Sequence, residues 1–170
     1  MTNTLKSLLI NSKDNRKISD RLFANKIISA KSATGRIFIE IVFNRCTFDR
    51  FNSESTIFSQ CKFEECTFLE LNFNAAKMNQ CKFDNCTFVK SNFSESEIIE
   101  TSFDWCKFEE IDFAQAYLET CNFQATKFKN MDIRVFCAIL ADSKISMQGW
   151  SINFNGDFIF DKVLKFINSI

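Results

Sequence analysis

The side chains in this sequence that could do chemistry are thiols and carboxylates. Its eight cysteines, Cys46, Cys61, Cys66, Cys81, Cys86, Cys106, Cys121 and Cys137, are spaced mostly by five and by 20, and no C-x-x-C occurs. That spacing matches no known zinc pattern. On neighbouring parallel strands such thiols would lie ~4.8 Å apart with parallel side-chain vectors, whereas a disulfide wants Cβ atoms ~3.8 Å apart. A buried free thiol acts as a small apolar group, so the cysteines read as core. The acid pairs Glu64-Glu65 and Glu109-Glu110 have no partner nucleophile. There is no histidine, which removes His-based acid/base work, Ser-His and Cys-His nucleophiles and His ligands. Three glycines, Gly35, Gly149 and Gly156, cannot build a Gly-rich phosphate loop. No catalytic residue, metal or cofactor is expected.

The elements that carry these residues follow from the 22 phenylalanines. Every fifth position from Phe38 to Ile133 is large and apolar in 19 of 20 cases, and 15 are Phe. A period of five fits neither a helix nor a simple alternating strand. It requires a chain that turns a corner every five residues and sends one large side chain inward per side. The positions two residues earlier are Ala, Cys, Ser or Thr in 14 of 19 cases and hold seven of the eight cysteines. A spacing of two puts both residues on one face of a short strand. Each side thus contributes one large and one small interior group.

A second period of 20 aligns Phe43, Phe63, Phe83, Phe103 and Phe123, and likewise Cys46, Cys66, Cys86 and Cys106. Four five-residue sides therefore make one coil, and coils stack by parallel pairing, as in a solenoid. One side exchanges its two interior groups. Phe51 holds the small position beside Ser53 at the large one, which keeps the core volume nearly constant.

Cys61-Lys62-Phe63, Ser91-Asn92-Phe93, Thr101-Ser102-Phe103 and Cys121-Asn122-Phe123 carry a resemblance to the pentapeptide-repeat family, whose consensus is Ala-(Asp/Asn)-Leu-X-X. Phe and Cys stand here for the commoner Leu and Ala. The polar middle residue is Asn or Asp chiefly in one column, Asn52, Asn72, Asn92, Asp112 and Asp132. The resemblance implies an all-β solenoid, a right-handed quadrilateral parallel β-helix of about five coils. It also implies a binding role, since some relatives protect DNA gyrase and topoisomerase IV by resembling duplex DNA.

Three segments follow. Residues 38–133 form the β-helix. Residues 1–37 break the small-residue rule with Arg16, Arg21 and Lys26, so they read as an irregular first coil or as a cap with a short helix near Asp20–Ile28. Residues 134–170 read as a C-terminal cap. In it Ile152–Phe154 and Phe158–Phe160 flank the turn Asn155-Gly156, and a helix follows from Asp161. The apolar surplus of Trp150, Phe154, Phe158, Phe160, Leu164 and Phe166 suggests a homodimer contact. No apolar run is long enough to cross a bilayer, and Leu8-Leu9-Ile10 is too short for a secretory core, so a cytoplasmic protein with no membrane contact is expected.

The formal net charge of zero hides a polarity. Residues 43–133 hold 15 acidic and 9 basic residues, net −6, whereas residues 1–42 hold 8 basic and 3 acidic, net +5. An acidic rod repels nucleic acid and attracts basic surfaces, so direct nucleic-acid binding is not expected. Glu64, Glu65, Asp84, Asp104, Glu109 and Glu110, with Leu69, Val89 and an outward Trp105, form the candidate protein-binding patch. The expected function is non-catalytic: a protein-binding module that occupies a basic, nucleic-acid-handling site on a partner, as a gyrase- or topoisomerase-protecting DNA mimic. An immunity protein that neutralises a bacterial toxin such as a nuclease would use the same surface. A structural scaffold without a dedicated ligand is the third reading.

Overall fold

The computed structural model describes residues 17–29, 32–130 and the backbone of 151–153. Three-residue strands alternate with tight corners. Each strand centres on an inward residue flanked by two outward ones, as in Thr67–Leu69 around Phe68. Sequential strands lie on different sides of the tube and, from Lys17 to Lys129, pair only with strands one coil away, in parallel and in register at a step of 20 residues.

The first side stacks Lys17–Ser19, Ile37–Ile39, Ile57–Ser59, Lys77–Asn79, Glu97–Ile99 and Tyr117–Glu119. The second runs from Leu22–Ala24 through Val42–Asn44, Lys62–Glu64 and Lys82–Asp84 to Ser102–Asp104. The third runs from Ile27–Ser29 through Thr47–Asp49, Thr67–Leu69, Thr87–Val89 and Lys107–Glu109 to Lys127–Lys129. The fourth holds single bridges between Ser32, Asn52, Asn72, Asn92 and Asp112. This is a four-sided parallel β-solenoid, the expected class, with about six turns rather than five. The additional coil is the first. Residues 17–29 are strands on all three of its sides, so the short helix near Asp20–Ile28 does not form. Ile18, Phe23 and Ile28 keep the inward beat, while Arg21 and Lys26 are exposed where later coils bury small residues.

The small residues of the later coils also bond across coils. The thiols of Cys46, Cys66, Cys86 and Cys106 donate to the carbonyls of Phe23, Phe43, Phe63 and Phe83 at 3.3–3.5 Å, in each case one coil back. Cys61, Cys81 and Cys121 do the same to Phe38, Phe58 and Ile98. A small residue thus leans towards the N-terminal neighbour.

The core is a set of aromatic columns. On the second side Phe23, Phe43, Phe63, Phe83, Phe103 and Phe123 stack with centroids 4.5–5.3 Å apart. On the third side Phe48, Phe68, Phe88, Phe108 and Phe128 do likewise. Adjacent columns meet edge-on, as Phe83 meets Phe88 at 5.5 Å and 62°. Both geometries suit the ring quadrupole.

The corners exact a conformational cost. Every described corner residue with a side chain from Asp20 to Asn130 has φ between 49° and 59°, among them Glu65, Trp105 and Thr120. Non-glycine residues enter this left-handed region at a cost. The compensation is a regular bond to the next coil: the N–H of Arg45, Glu65, Asn85 and Trp105 donates to the carbonyl 19 residues later at 2.8–2.9 Å. The fourth side is built differently. Asn52, Asn72, Asn92 and Asp112 accept, through Oδ1, the N–H two residues ahead at 2.8–3.0 Å. These are Asx-turns, and they explain why Asn and Asp gather in that one column.

Ser151–Asn153 pairs in parallel with Lys127–Lys129 and extends the third side by one strand. Trp150, Phe154, Phe158, Phe160, Leu164, Phe166 and the hairpin and helix expected around them lie outside the described residues.

Candidate functional site

The interior offers no room for chemistry. Phe63, Phe83, Phe88, Phe103 and Phe108 are fully enclosed, and the seven described thiols are buried and unbridged. Burial pushes Cys121 up to about 11, and burial followed by the bond to Cys106 raises Cys86. Those thiols stay protonated near neutrality and are not nucleophiles. Among the described residues no three Cys, Asp or Glu side chains converge to hold a metal ion. No helix among them is long and apolar enough to cross a membrane.

The outward residues stand in ladders one coil apart. Glu64, Asp84 and Asp104 occupy equivalent positions on the second side, Glu64 opposite Asp84 and Asp84 opposite Asp104. Glu64 accepts a bond from Asn44 Nδ2 at 2.9 Å, and Asp104 one from Asn122 Nδ2 at 3.1 Å. None of the three has an ion-pair partner among the described residues. The other acids are partly neutralised within the chain. Glu65 pairs with Arg45 at 3.0 Å, whose hydrogen bond and charge hold its carboxyl below the usual range. Glu110 faces Lys90 at 4.0 Å, and Glu109 is bonded by Lys129.

Leu69 and Val89 pair directly on the third side. Both are half-buried and lie beside the corner formed by Glu70 and Lys90. Trp105 stands on the opposite corner of that side, directly after the acidic ladder, and is 61% exposed. The structure therefore joins Trp105 to Asp104, Asp84 and Glu64, and sets the Leu69–Val89 pair across the width of the third side from it.

Sequence reasoning passed over Leu22 and Ile27, 68% and 79% exposed on the first coil. They sit where a strand of this type must point outward, one residue before Phe23 and Ile28. Extending the five-residue beat back through Ile18 as a full coil would have marked them.

Residues 56–95 match the family model "Pentapeptide repeats" in eight copies. No curated protein matches the chain in sequence. Among solved structures, HetL from the cyanobacterium Nostoc sp. strain PCC 7120, involved in heterocyst differentiation regulation, is 11% identical, with 90% of this chain and 81% of that one covered and a TM-score of 0.47. A trypsin-treated form of QnrB1, a plasmid-mediated fluoroquinolone resistance protein, is 15% identical over 83% and 84% of the two chains, with a TM-score of 0.40. A pentapeptide repeat protein of the Arabidopsis thaliana thylakoid lumen is 15% identical over 81% and 72%, with a TM-score of 0.24. The match to pentapeptide repeats covers residues 56–95, and the same five-residue beat of buried rings continues through the coils on either side of it.

Proposed function

We propose that this chain is a non-catalytic protein-binding module whose acidic edge occupies a basic, nucleic-acid-handling site on a partner protein in the cytoplasm. One observation carries the reading. The interior is filled by rings and thiols, so recognition falls to the outside, where Glu64, Asp84 and Asp104 form a ladder with no counter-ion among the described residues, next to the exposed Trp105. Carboxylates one coil apart repeat every ~4.8 Å along a straight edge, a charge array that a surface built for phosphates would accept. Exposed Trp is enriched at the energetic centres of interfaces.

The partner class that fits is a topoisomerase such as gyrase. The test measures gyrase supercoiling with and without a quinolone while the full chain is titrated in. A shift in drug sensitivity that is lost in Asp84→Lys supports the reading; no shift at micromolar protein overturns it. Where a partner is captured, Trp105→Ala weakens binding by ~2 kcal/mol with little change in folding stability, because the ring is largely in solvent. Unchanged affinity removes Trp105 from the surface.

A further inference from the structure

Leu22 and Ile27, on adjacent sides of the first coil, are exposed. Outward aliphatics continue into the second coil, where Val42 pairs with Leu22, and Ile37 and Ile39 stand on the first side, all three half-buried. The equivalent positions of the fourth coil hold Lys77, Asn79, Lys82 and Thr87. An aliphatic outer surface is therefore a property of one end of the rod. Cations share that end. Lys17, Arg21 and Lys26 are exposed on the first coil and make no ion pair among the described residues, where Asp20 is the one acid of that coil. The sixteen residues before Lys17 add Lys6, Lys13, Arg16 and the run Leu8-Leu9-Ile10, the same two kinds of side chain. Charge then reverses along the axis. Residues 1–42 carry net +5, whereas residues 63–122, with 12 acids and 4 bases, carry net −8.

We infer that this end docks on an anionic lipid surface, with the rod standing on its first two coils. Aliphatic side chains enter the boundary between headgroups and acyl chains, and the cations among them meet the lipid phosphates. Leu22 and Ile27 project from different sides at one height along the axis, so both reach the same depth when the rod stands on end. Two coils span ~10 Å, which matches the depth of such contacts. The charge gradient favours the same orientation. The acidic stretch begins two coils above the first, at about one screening length in physiological salt, and a rod lying flat would press it against the anionic surface. An acidic protein would answer the cations equally well, but the aliphatics are spread over adjacent sides rather than gathered in one groove, which suits a fluid surface. The expectation of no membrane contact rests on the lack of a spanning segment, and a surface contact needs none. Glu64, Asp84, Asp104 and Trp105 take no part, so the contact is independent of the partner proposed above.

The test is sedimentation of the purified full chain with vesicles of phosphatidylglycerol and phosphatidylcholine in equal parts, and with vesicles of phosphatidylcholine alone. Binding to the first and not to the second is expected, weakening as salt is raised. Lys26→Glu weakens it by ~30-fold, and Leu22→Ser combined with Ile27→Ser by ~10-fold or more, each with unchanged circular dichroism. Glu95 is exposed at the corner three coils above Gly35, and Glu95→Lys leaves binding unchanged, because ~14 Å exceeds the screening length. No binding to the anionic vesicles overturns the proposal and turns this end over to an acidic protein. Binding indifferent to Leu22 and Ile27 means adsorption by charge alone, and binding strengthened by Glu95→Lys means that the rod lies flat; either result also overturns it. The vesicle assay contains no protein partner, so its failure leaves the topoisomerase reading to its own assay.

Discussion

A cysteine on the second or third side has two roles. It is small enough to sit beside a phenylalanine, and its thiol donates to a carbonyl one coil back. Alanine would serve the first role only, and serine would add a hydroxyl with a stronger need for partners. Thr126 and Thr56, at equivalent positions, also reach back to Phe103 and Ala33. The cost of the arrangement lies in pH. A thiol in the unfolded chain ionises near roughly 8.5, whereas Cys121 in the fold is held at about 11 and Cys86 is raised as well. Below the unfolded value both states are protonated and stability does not depend on these groups. Above it the unfolded chain loses protons that the fold retains, so stability falls as pH rises. The slope approaches about 1.4 kcal/mol per pH unit for each such thiol. Chemical-denaturation midpoints from neutral pH to about pH 10 should therefore drop, and Cys121→Ala should lessen the slope. A flat profile would mean that the thiols ionise within the fold. The sequence made the thiols legible as interior groups, because their spacing is rigid. Their hydrogen bonds were not legible, because the acceptor lies 23 residues away and belongs to the backbone.

One coil is too thin to have a core of its own, so the energetics of an element belong to its neighbours. Phe83 is stacked on Phe63 at 4.5 Å and under Phe103 at 4.8 Å, with Phe68 and Phe88 edge-on. Phe83→Ala opens a cavity that nothing nearby can fill and should cost ~3–5 kcal/mol, read as a loss in denaturant stability; a loss below 1 kcal/mol would mean the ring is not enclosed. The fourth side of the second coil is the weak point. Ser91, at the small position, donates to the Val89 carbonyl at 3.2 Å. Ser53, at the large position, has its hydroxyl buried with no partner, beside a void of about 10 Å³ lined by Phe38, Phe48, Phe58 and Phe73. The exchange of Phe51 and Ser53 was visible in the sequence as a volume swap. The orphaned hydroxyl was not, because the two orders of the same pair differ only in which atom faces a carbonyl. Ser53→Ala should stabilise the fold by ~1 kcal/mol, the opposite sign to most core truncations.

For the whole molecule the governing quantity is the step of 20. All the pairings along the three strand-bearing sides from Lys17 to Lys129 hold it, and it made the class of fold legible before any coordinate. The number of coils was less legible. The small-residue rule fails in the first coil, where Arg21 and Lys26 hold the small positions exposed, while the inward beat of Ile18, Phe23 and Ile28 continues. The step of 20 makes a strong prediction about deletions. Removing residues 77–96 joins Ala76 to Glu97 and brings Phe63 over Phe103, Phe68 over Phe108, Cys66 over Cys106 and Phe73 over Phe113. Every column is preserved, so the shortened chain should fold to the same β-rich spectrum and unfold cooperatively at lower denaturant, having lost one set of neighbour contacts. Removing residues 78–96 instead takes out one residue fewer. Every later side chain then slips by one, the rings at Phe103, Phe108 and Phe113 turn outward, and charged neighbours turn in. That chain should lose cooperative unfolding and aggregate. If both deletions behave alike in circular dichroism and sedimentation, the stacking register is not what holds the tube together.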